Sequence, residues 1–328
     1  MATARDVAAI GNAIVDVIAP ASEAFLVAEA LAKGTMTLID EARAHALYAR
    51  MAAGIEASGG GAGNTVAGVA SLGGRAAYIG KVAADSLGEI FAHDMRAMGA
   101  HFSTAPLVGG AATARCLVNV TPDGERTMST FLGACVALDE SDVDPALIEG
   151  AATLYLEGWL FDPVKARAAF AKAAAIARGA GRAIAITLSD PFVVERHRDA
   201  LLAFIDSHVD IVFANEAEVT ALFETDFSAA TRALRDRTRI AAITRGAKGS
   251  VVSADGAEYV VAAEPVARVV DTTGAGDQYA AGFLFGLARD KPMDVCGRLG
   301  SMAAAEVIAH YGPRPAVSLA ALAAERGL

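Results

Sequence analysis

The sequence predicts an α/β fold, with a mostly parallel central sheet covered by helices on both faces and a small β-lid over one end. Three observations carry this. Short runs rich in Val and Ile alternate with longer Ala-rich segments of helical period, the pattern of repeated βαβ units. Apolar residues make up 54% of the 328 and charged residues 20%, which supplies a large core and leaves little room for disorder. Two segments, 13–40 and 113–131, break the alternation with short apolar pieces.

Strands are expected at 7–10, 76–79, 154–157, 183–188, 211–214, 240–244 and 250–253, and helices at 63–72, 86–98, 163–178, 196–205, 216–223 and 229–237. Their order implies a sheet buried on both faces. Segment 113–131 reads as two strands, "TARCLVNV" and "ERTMSTF", joined by the turn "TPDG". A hairpin inside a βαβ series has to leave the main sheet or extend its edge. Together with 13–40, which contains "KGTMTLID", it is assigned to the lid. No repeat, low-complexity linker or composition shift divides the chain, so residues 1–328 are expected to form a single domain with that lid.

The net charge of −10 leaves no basic surplus to neutralise phosphates and argues against a nucleic-acid binder. Cys116, Cys135 and Cys296 are far apart and fall in no metal or CxxC spacing, so buried free thiols are expected. The N-terminal stretch is broken by Arg5, Asp6 and Asp16 and reads as strand, turn and strand, not as a signal peptide. No run reaches the roughly 18 apolar residues of a membrane helix. A cytoplasmic protein without a membrane partner is expected.

The most informative stretch is "VVDTTGAGDQYAAGF", residues 269–283. Gly274 and Gly276 let the backbone approach a ligand, and a helix starting near Gly276 points unpaired N–H groups at the turn, where its dipole favours an anion. Ala280, Phe283, Leu284 and Leu287 recur at helical spacing behind it. A fixed carboxylate in such a hole, Asp277, costs Coulomb energy unless it has a task such as taking a proton from a hydroxyl that attacks phosphorus. The alternative is a helix-capping or first-turn acid. Elsewhere "NEAE" places Asn215 and Glu218 three apart after a strand, which also suits a capping box. There is no Walker-type loop, no GxGxxG after the first strand, no GxSxG, and no metal-ligand spacing among the six histidines.

"DTTGAGD" followed by "AAGF" resembles the C-terminal signature of the ribokinase-like (PfkB) family of carbohydrate and nucleoside kinases. "GGGAGNTVAGVASLGG" is similar to the family's N-terminal glycine-rich signature, "NEAE" to its N-x-x-E motif, "ITRGAKGS" to its nucleotide-side segment and "GNAIVD" to its early G-x-x-x-D element. The resemblance implies a ribokinase-like three-layer αβα sandwich and an ATP- and Mg2+-dependent kinase. Asp277 would be the catalytic base, with the backbone of Gly274, Ala275, Gly276 and Asp277 as anion hole. Asn12, Asp16, Gly60, Gly61 and Asn64 would hold the acceptor. Asn215, Thr244, Gly246 and Gly249 would serve the nucleotide, and Glu218 would organise Mg2+ through water. Asp271 is implied as ligand to a monovalent cation such as K+, which some relatives bind. Lys248 is expected to be a solvated turn lysine.

A nucleoside acceptor needs an apolar slot for its base, whereas a free-sugar site is polar nearly all round. Phe25, Met36, Leu38, Cys116, Leu117, Met128, Phe131, Trp159 and Phe161 suit either such a slot or the lid's own core. "TMSTFLGAC" and "AAAEVIAHYGPRP" are similar to bacterial family members described as adenosine kinases, which favours adenosine. A ribose, fructose or 2-keto-3-deoxygluconate kinase is the alternative, and a non-catalytic sensor the outside one. Gln278 departs from many sugar-specific relatives and bears on the same choice. A monomer and a lid-mediated homodimer are both compatible with the sequence.

Overall fold

Alternate residues of the strand Arg5–Ile10 face opposite ways, and both sets are buried: Val7 and Ala9 in one core, Ala8 and Ile10 in another. A strand with two cores is the middle of three layers. The computed structural model describes residues 3–328 and places this strand within a nine-stranded sheet. The order across that sheet is Ala257–Val261, Ser250–Ala254, Ile240–Thr244, Ile211–Asn215, Ala183–Thr187, Ala151–Glu157, Arg5–Ile10, Ala76–Ile79 and His101–Phe102. All neighbours are parallel except at one edge, where Ser250–Ala254 pairs antiparallel on both sides.

Helices Val164–Gly179 and Pro191–His208 cover one face through Phe170, Val194 and Leu201. Helices Gly61–Ser71, Ser86–Ala97 and Ala275–Leu287 cover the other through Val66, Phe91 and Phe283. The expected three-layer α/β architecture is therefore present. The chain leaves the first strand toward Ala76–Ile79 on one side and later returns to Ala151–Glu157 on the other. That reversal of direction is where open α/β sheets bind ligands, beyond the carboxyl ends of their strands.

The two segments that break the alternation join a five-stranded sheet ordered Met36–Leu38, Arg126–Phe131, Ala114–Val120, Ile14–Pro20 and Ile55–Ser58. Successive side chains along its strands face opposite ways. Val17 and Leu117 pack with Leu47 in a small core of their own, while Asp16, Cys116 and Met128 face the cavity described below. The expected strands and helices appear with bounds shifted by a few residues. The helix expected from 196 is preceded by a short helical stretch that Asp190 caps and Pro191 opens, and the two meet at a kink at His197, where φ is −124° and ψ 20°. Met293–Val307, a helix not expected, is buried along most of its length, and only Asp294 and Arg298 are exposed, too few to mark its period clearly. Among the described residues no helix is long and apolar enough to cross a membrane.

Helices Ala275–Leu287 and Met293–Val307 approach so closely that a Cβ on Gly282 would lie 2.4 Å from the Leu299 carbonyl oxygen. Backbone cannot yield as a side chain can. Gly282→Ala is expected to destabilise the protein by about 1–3 kcal/mol, despite alanine's better helix propensity. Urea unfolding midpoints of the two proteins check this; an unchanged or higher midpoint would contradict the packing.

Candidate active site

The carboxyl ends of five parallel strands, the first turns of three helices and one face of the small sheet enclose a cavity of about 560 Å3. Asn12 follows the first strand, Glu157 and Trp159 end another, and Thr187, Asn215 and Thr244 end three more. Such a size suits a small organic ligand.

The turn before Ala275–Leu287 forms one wall. Gly274 is its N-cap with φ of 78°, and a Cβ there would sit 2.7 Å from Pro313, so a side chain is excluded on both counts. Asp277 lies one turn in and makes no capping bond, which removes the capping explanation for this acid. Instead Asn64 Nδ2 donates to its Oδ2 at 3.0 Å, while among the described residues Oδ1 has no donor. Burial pushes the Asp277 carboxyl up to about 6, the Asn64 bond opposes this, and the nearby Asp16 charge adds to it. The anion hole expected at 275–277 is narrower than the sequence suggests. Ala275 N–H is turned back to the Thr272 carbonyl at 3.2 Å, leaving those of Gly276 and Asp277 unpaired among the described residues.

Asn12, Asp16, Gly60, Gly61 and Asn64 all line the cavity. Burial raises the Asp16 carboxyl to about 6, against the opposing charges of Arg314 and Arg126. Asn215 and Glu218 also line it, and they form the capping box that their spacing allows. Glu218 Oε2 accepts from Asn215 N at 2.9 Å and Oε1 from Asn215 Nδ2 at 2.7 Å. Burial raises the Glu218 carboxyl to about 7, helped by Asp190 and Asp277.

Thr244 lines the cavity, but Gly246 and Gly249 do not; they turn the chain between two antiparallel strands at φ of 55° and 82°. Lys248 is solvated and lies 3.4 Å from Glu216. Asp271 is also off the cavity wall. Its Oδ1 accepts from Thr273 N and Oγ1 at 3.0 and 2.7 Å, and its Oδ2 meets Arg126 Nη2 at 2.6 Å and Gly312 N at 3.0 Å. With a guanidinium already paired to it, this carboxylate is ill suited to the monovalent cation expected there.

Of the nine candidate slot residues, Met36, Leu38, Cys116, Met128 and Trp159 reach the cavity. Phe25 and Leu117 belong to the small sheet's core, Phe161 packs on Phe170 and Phe204, and Phe131 is buried off the wall. Leu132 and Val136 complete the apolar side. Cys116, Cys135 and Cys296 are buried free thiols. Gln278 is fully buried, donating to the carbonyls of Asn64 and Pro313, and lies outside the cavity altogether.

Sequence reasoning missed Glu157. It is buried, with its carboxyl raised to about 7 by desolvation, and its Oε2 accepts the Ala62 N–H at 2.8 Å in the first turn of Gly61–Ser71. A lone acid ending an apolar strand was the available signal. Four desolvated carboxylates (Asp16, Glu157, Glu218 and Asp277) thus face a cavity whose wall also offers free N–H groups. Such a set can take a proton from an alcohol and receive an anionic group beside it.

Comparison with known proteins agrees. The profile of the pfkB family carbohydrate kinases matches residues 5–319. An adenosine kinase of Sinorhizobium meliloti is 52% identical, with a TM-score of 0.92 over 98% of this chain and 99% of that one. A probable sugar kinase of Rhizobium etli is 47% identical, with a TM-score of 0.93 over 99% of both chains. Adenosine kinase 2 of Arabidopsis thaliana is 30% identical across 73% of each chain.

The raised carboxyls make stability depend on pH. Asp277 ordinarily titrates near 3.8 and here near 6, so between those values the native state binds more protons than the unfolded chain. Its contribution is therefore lost as pH rises through that window. Asp277→Asn escapes the loss and should gain about 1–2 kcal/mol on the wild type between acid and neutral pH, allowing for partial exposure. Urea melts at both ends of the window test this. A constant gap between the two proteins would mean that Asp277 is not desolvated.

Proposed function

The chain belongs to the pfkB family of carbohydrate kinases, phosphotransferases that use ATP and an alcohol acceptor, and on that premise we propose that its acceptor is a nucleoside, adenosine first, phosphorylated at its primary hydroxyl. The observation that carries this is the division of the cavity. Asn12, Asp16 and Asn64 make one side polar, while Met36, Leu38, Cys116, Met128, Leu132 and Trp159 make another apolar. A ribose with a base attached has the same two halves, whereas a free sugar would leave the apolar side unused. Similarity to the Sinorhizobium adenosine kinase supports the reading.

In this reading Asp16 and Asn64 hold ribose hydroxyls, Asp16 as acceptor only when ionised. Asp277 takes the proton of the attacking hydroxyl on its free Oδ1 while Asn64 holds its Oδ2. A base titrating near 6 is mostly ionised at neutral pH and still strong enough to accept a proton. The N–H groups of Gly276 and Asp277 receive the transferring phosphoryl group, each worth about 3 kcal/mol in the transition state. Asn215 and Thr244 face the nucleotide. The small sheet acts as a lid that excludes water from the closed site.

The donor set fits Mg2+. Among the described residues no three acidic, His or Cys side chains cluster, and Glu218 with Asn215 offers hard oxygen ligands of the kind a partly hydrated Mg2+ uses. Held by Glu218 and Asn215, Mg2+ would supply positive charge beside the transferring phosphoryl group.

A free-sugar acceptor is the second reading, supported by the Rhizobium etli neighbour. ADP release with Mg-ATP should be fastest with adenosine and far slower with ribose, fructose or 2-keto-3-deoxygluconate. Asp277→Asn should lose about 10²–10⁴ in kcat while binding acceptor nearly unchanged. Turnover on a free sugar alone would overturn the nucleoside acceptor, and full activity in Asp277→Asn would overturn the base.

A further inference from the structure

The loop 312–314 does not line the cavity but bonds to residues around its polar half. Gly312 N–H donates to Asp271 Oδ2 at 3.0 Å, below the anion turn. The Pro313 carbonyl accepts Gln278 Nε2 at 3.0 Å, next to the base. Arg314 reaches furthest. Its Nη1 donates to Ser58 Oγ at 2.8 Å and lies 3.2 Å from Met98 Sδ, and its Nε reaches Asn64 Oδ1 at a long 3.5 Å. Its Nη2 is buried with no partner among the described residues.

The side chain of Asn64 has one donor end and one acceptor end, and its orientation decides what Asp277 receives. A guanidinium carries only donors, so only Oδ1 of Asn64 can face it. That turns Nδ2 toward Asp277, where it donates at 3.0 Å. With the opposite orientation two donors would meet on one side and two acceptors on the other. Arg314 also stands near Asp16: its Nη1 bonds Ser58, and the next residue, Gly59, lies against the Asp16 carboxylate, where a Cβ would sit 2.3 Å from Oδ2. Its positive charge opposes the rise that burial gives Asp16, in a site poor in other countercharges. The charged and titratable groups that bear on Asp16 are Arg314, Arg126, Asp277 and Cys116, and Arg126 is already paired with Asp271. On Arg314 itself act Asp16, Asp94 and Tyr78.

We propose that Arg314 is a positioning residue for phosphoryl transfer: it orients the Asn64 amide that holds Asp277, and it supplies the countercharge for Asp16. The assignment rests on the nucleoside-kinase reading for its kinetic consequences, but the bond to Asn64 and the nearness to Asp16 do not depend on which acceptor binds. Arg314→Gln keeps much of the stem and removes the charge. Arg314→Lys keeps the charge, yet a point-like ammonium cannot serve Ser58 and Asn64 together.

Steady-state kinetics of the full-length proteins with Mg-ATP and adenosine, across pH, test this. Arg314→Gln should raise the acceptor KM about tenfold, lower kcat, and move the acid limb of kcat/KM to higher pH, since Asp16 loses its countercharge. Arg314→Lys should return the acid limb to its wild-type position but recover kcat only in part. A folded Arg314→Gln with a lower melting temperature but wild-type KM, kcat and acid limb would overturn the proposal. Should Gln fail to fold, Arg314→Met, which keeps the apolar stem, replaces it. If the wild type turns over none of the acceptors, the nucleoside reading fails, and Arg314 is judged separately by carbon-13 NMR of the aspartate carboxyls. The Asp16 midpoint, assigned with Asp16→Asn, should rise in Arg314→Gln; an unmoved midpoint would overturn the proposal.

Discussion

Two helices with their positive ends together are the constraint on which this molecule is built. Gly61–Ser71 and Ala275–Leu287 meet at their first turns, where Asn64 bonds Asp277 and Thr65 Oγ1 donates to the Asp277 carbonyl at 3.2 Å. They stay in contact a turn later, where a Cβ on Gly68 would lie 2.1 Å from Gln278 Oε1. Side-by-side macrodipoles pointing the same way repel, with about half an elementary charge at each N-terminus. Carboxylates offset this. Glu157 takes the Ala62 N–H of one helix, and Asp277 sits in the first turn of the other. Desolvation then lifts both carboxyls, to about 7 and about 6. The field that makes the helix ends need anions is the one that would draw a phosphoryl group, and the acid that offsets it is the one that would take the proton. Packing and chemistry share one solution.

What could be read from the sequence was what the chain holds close together. Gly274, Gly276 and Asp277 fall within four residues, and a glycine turn feeding a helix is legible locally. Asn215 and Glu218 are three apart, and their capping box forms within one turn. Glu157 and Ala62 are 95 residues apart, and Arg314 and Asn64 are 250 apart, so nothing in either neighbourhood announces the partner. The apolar slot shows a different limit. Alternation along Ala114–Val120 says that Cys116 and Leu117 face opposite ways, but both ways are buried, and only the fold says which is cavity and which is core. Phe25 and Phe161 were open to the same ambiguity and belong to core. Gln278 departs from many sugar-specific relatives within the motif, and its amide joins two backbone segments behind the site.

The capping box and a metal role for Glu218 are not rival explanations. In the protein alone both Glu218 oxygens accept bonds from Asn215, one from its backbone and one from its amide. A cation that took Glu218 directly would draw those lone pairs away and loosen the start of Glu216–Phe223, a cap worth about 1 kcal/mol. A cation held through its own water asks less, because each carboxylate oxygen keeps a second lone pair for a water O–H. Mg2+ gives up its waters reluctantly and is suited to that arrangement. The charge also matches the need. Glu218 sits in a cavity with Asp190 and Asp277 bearing on it, and its carboxyl is raised to about 7, so near neutral pH it is poised between forms. A cation nearby would hold it ionised, and with it the other desolvated carboxylates of the cavity.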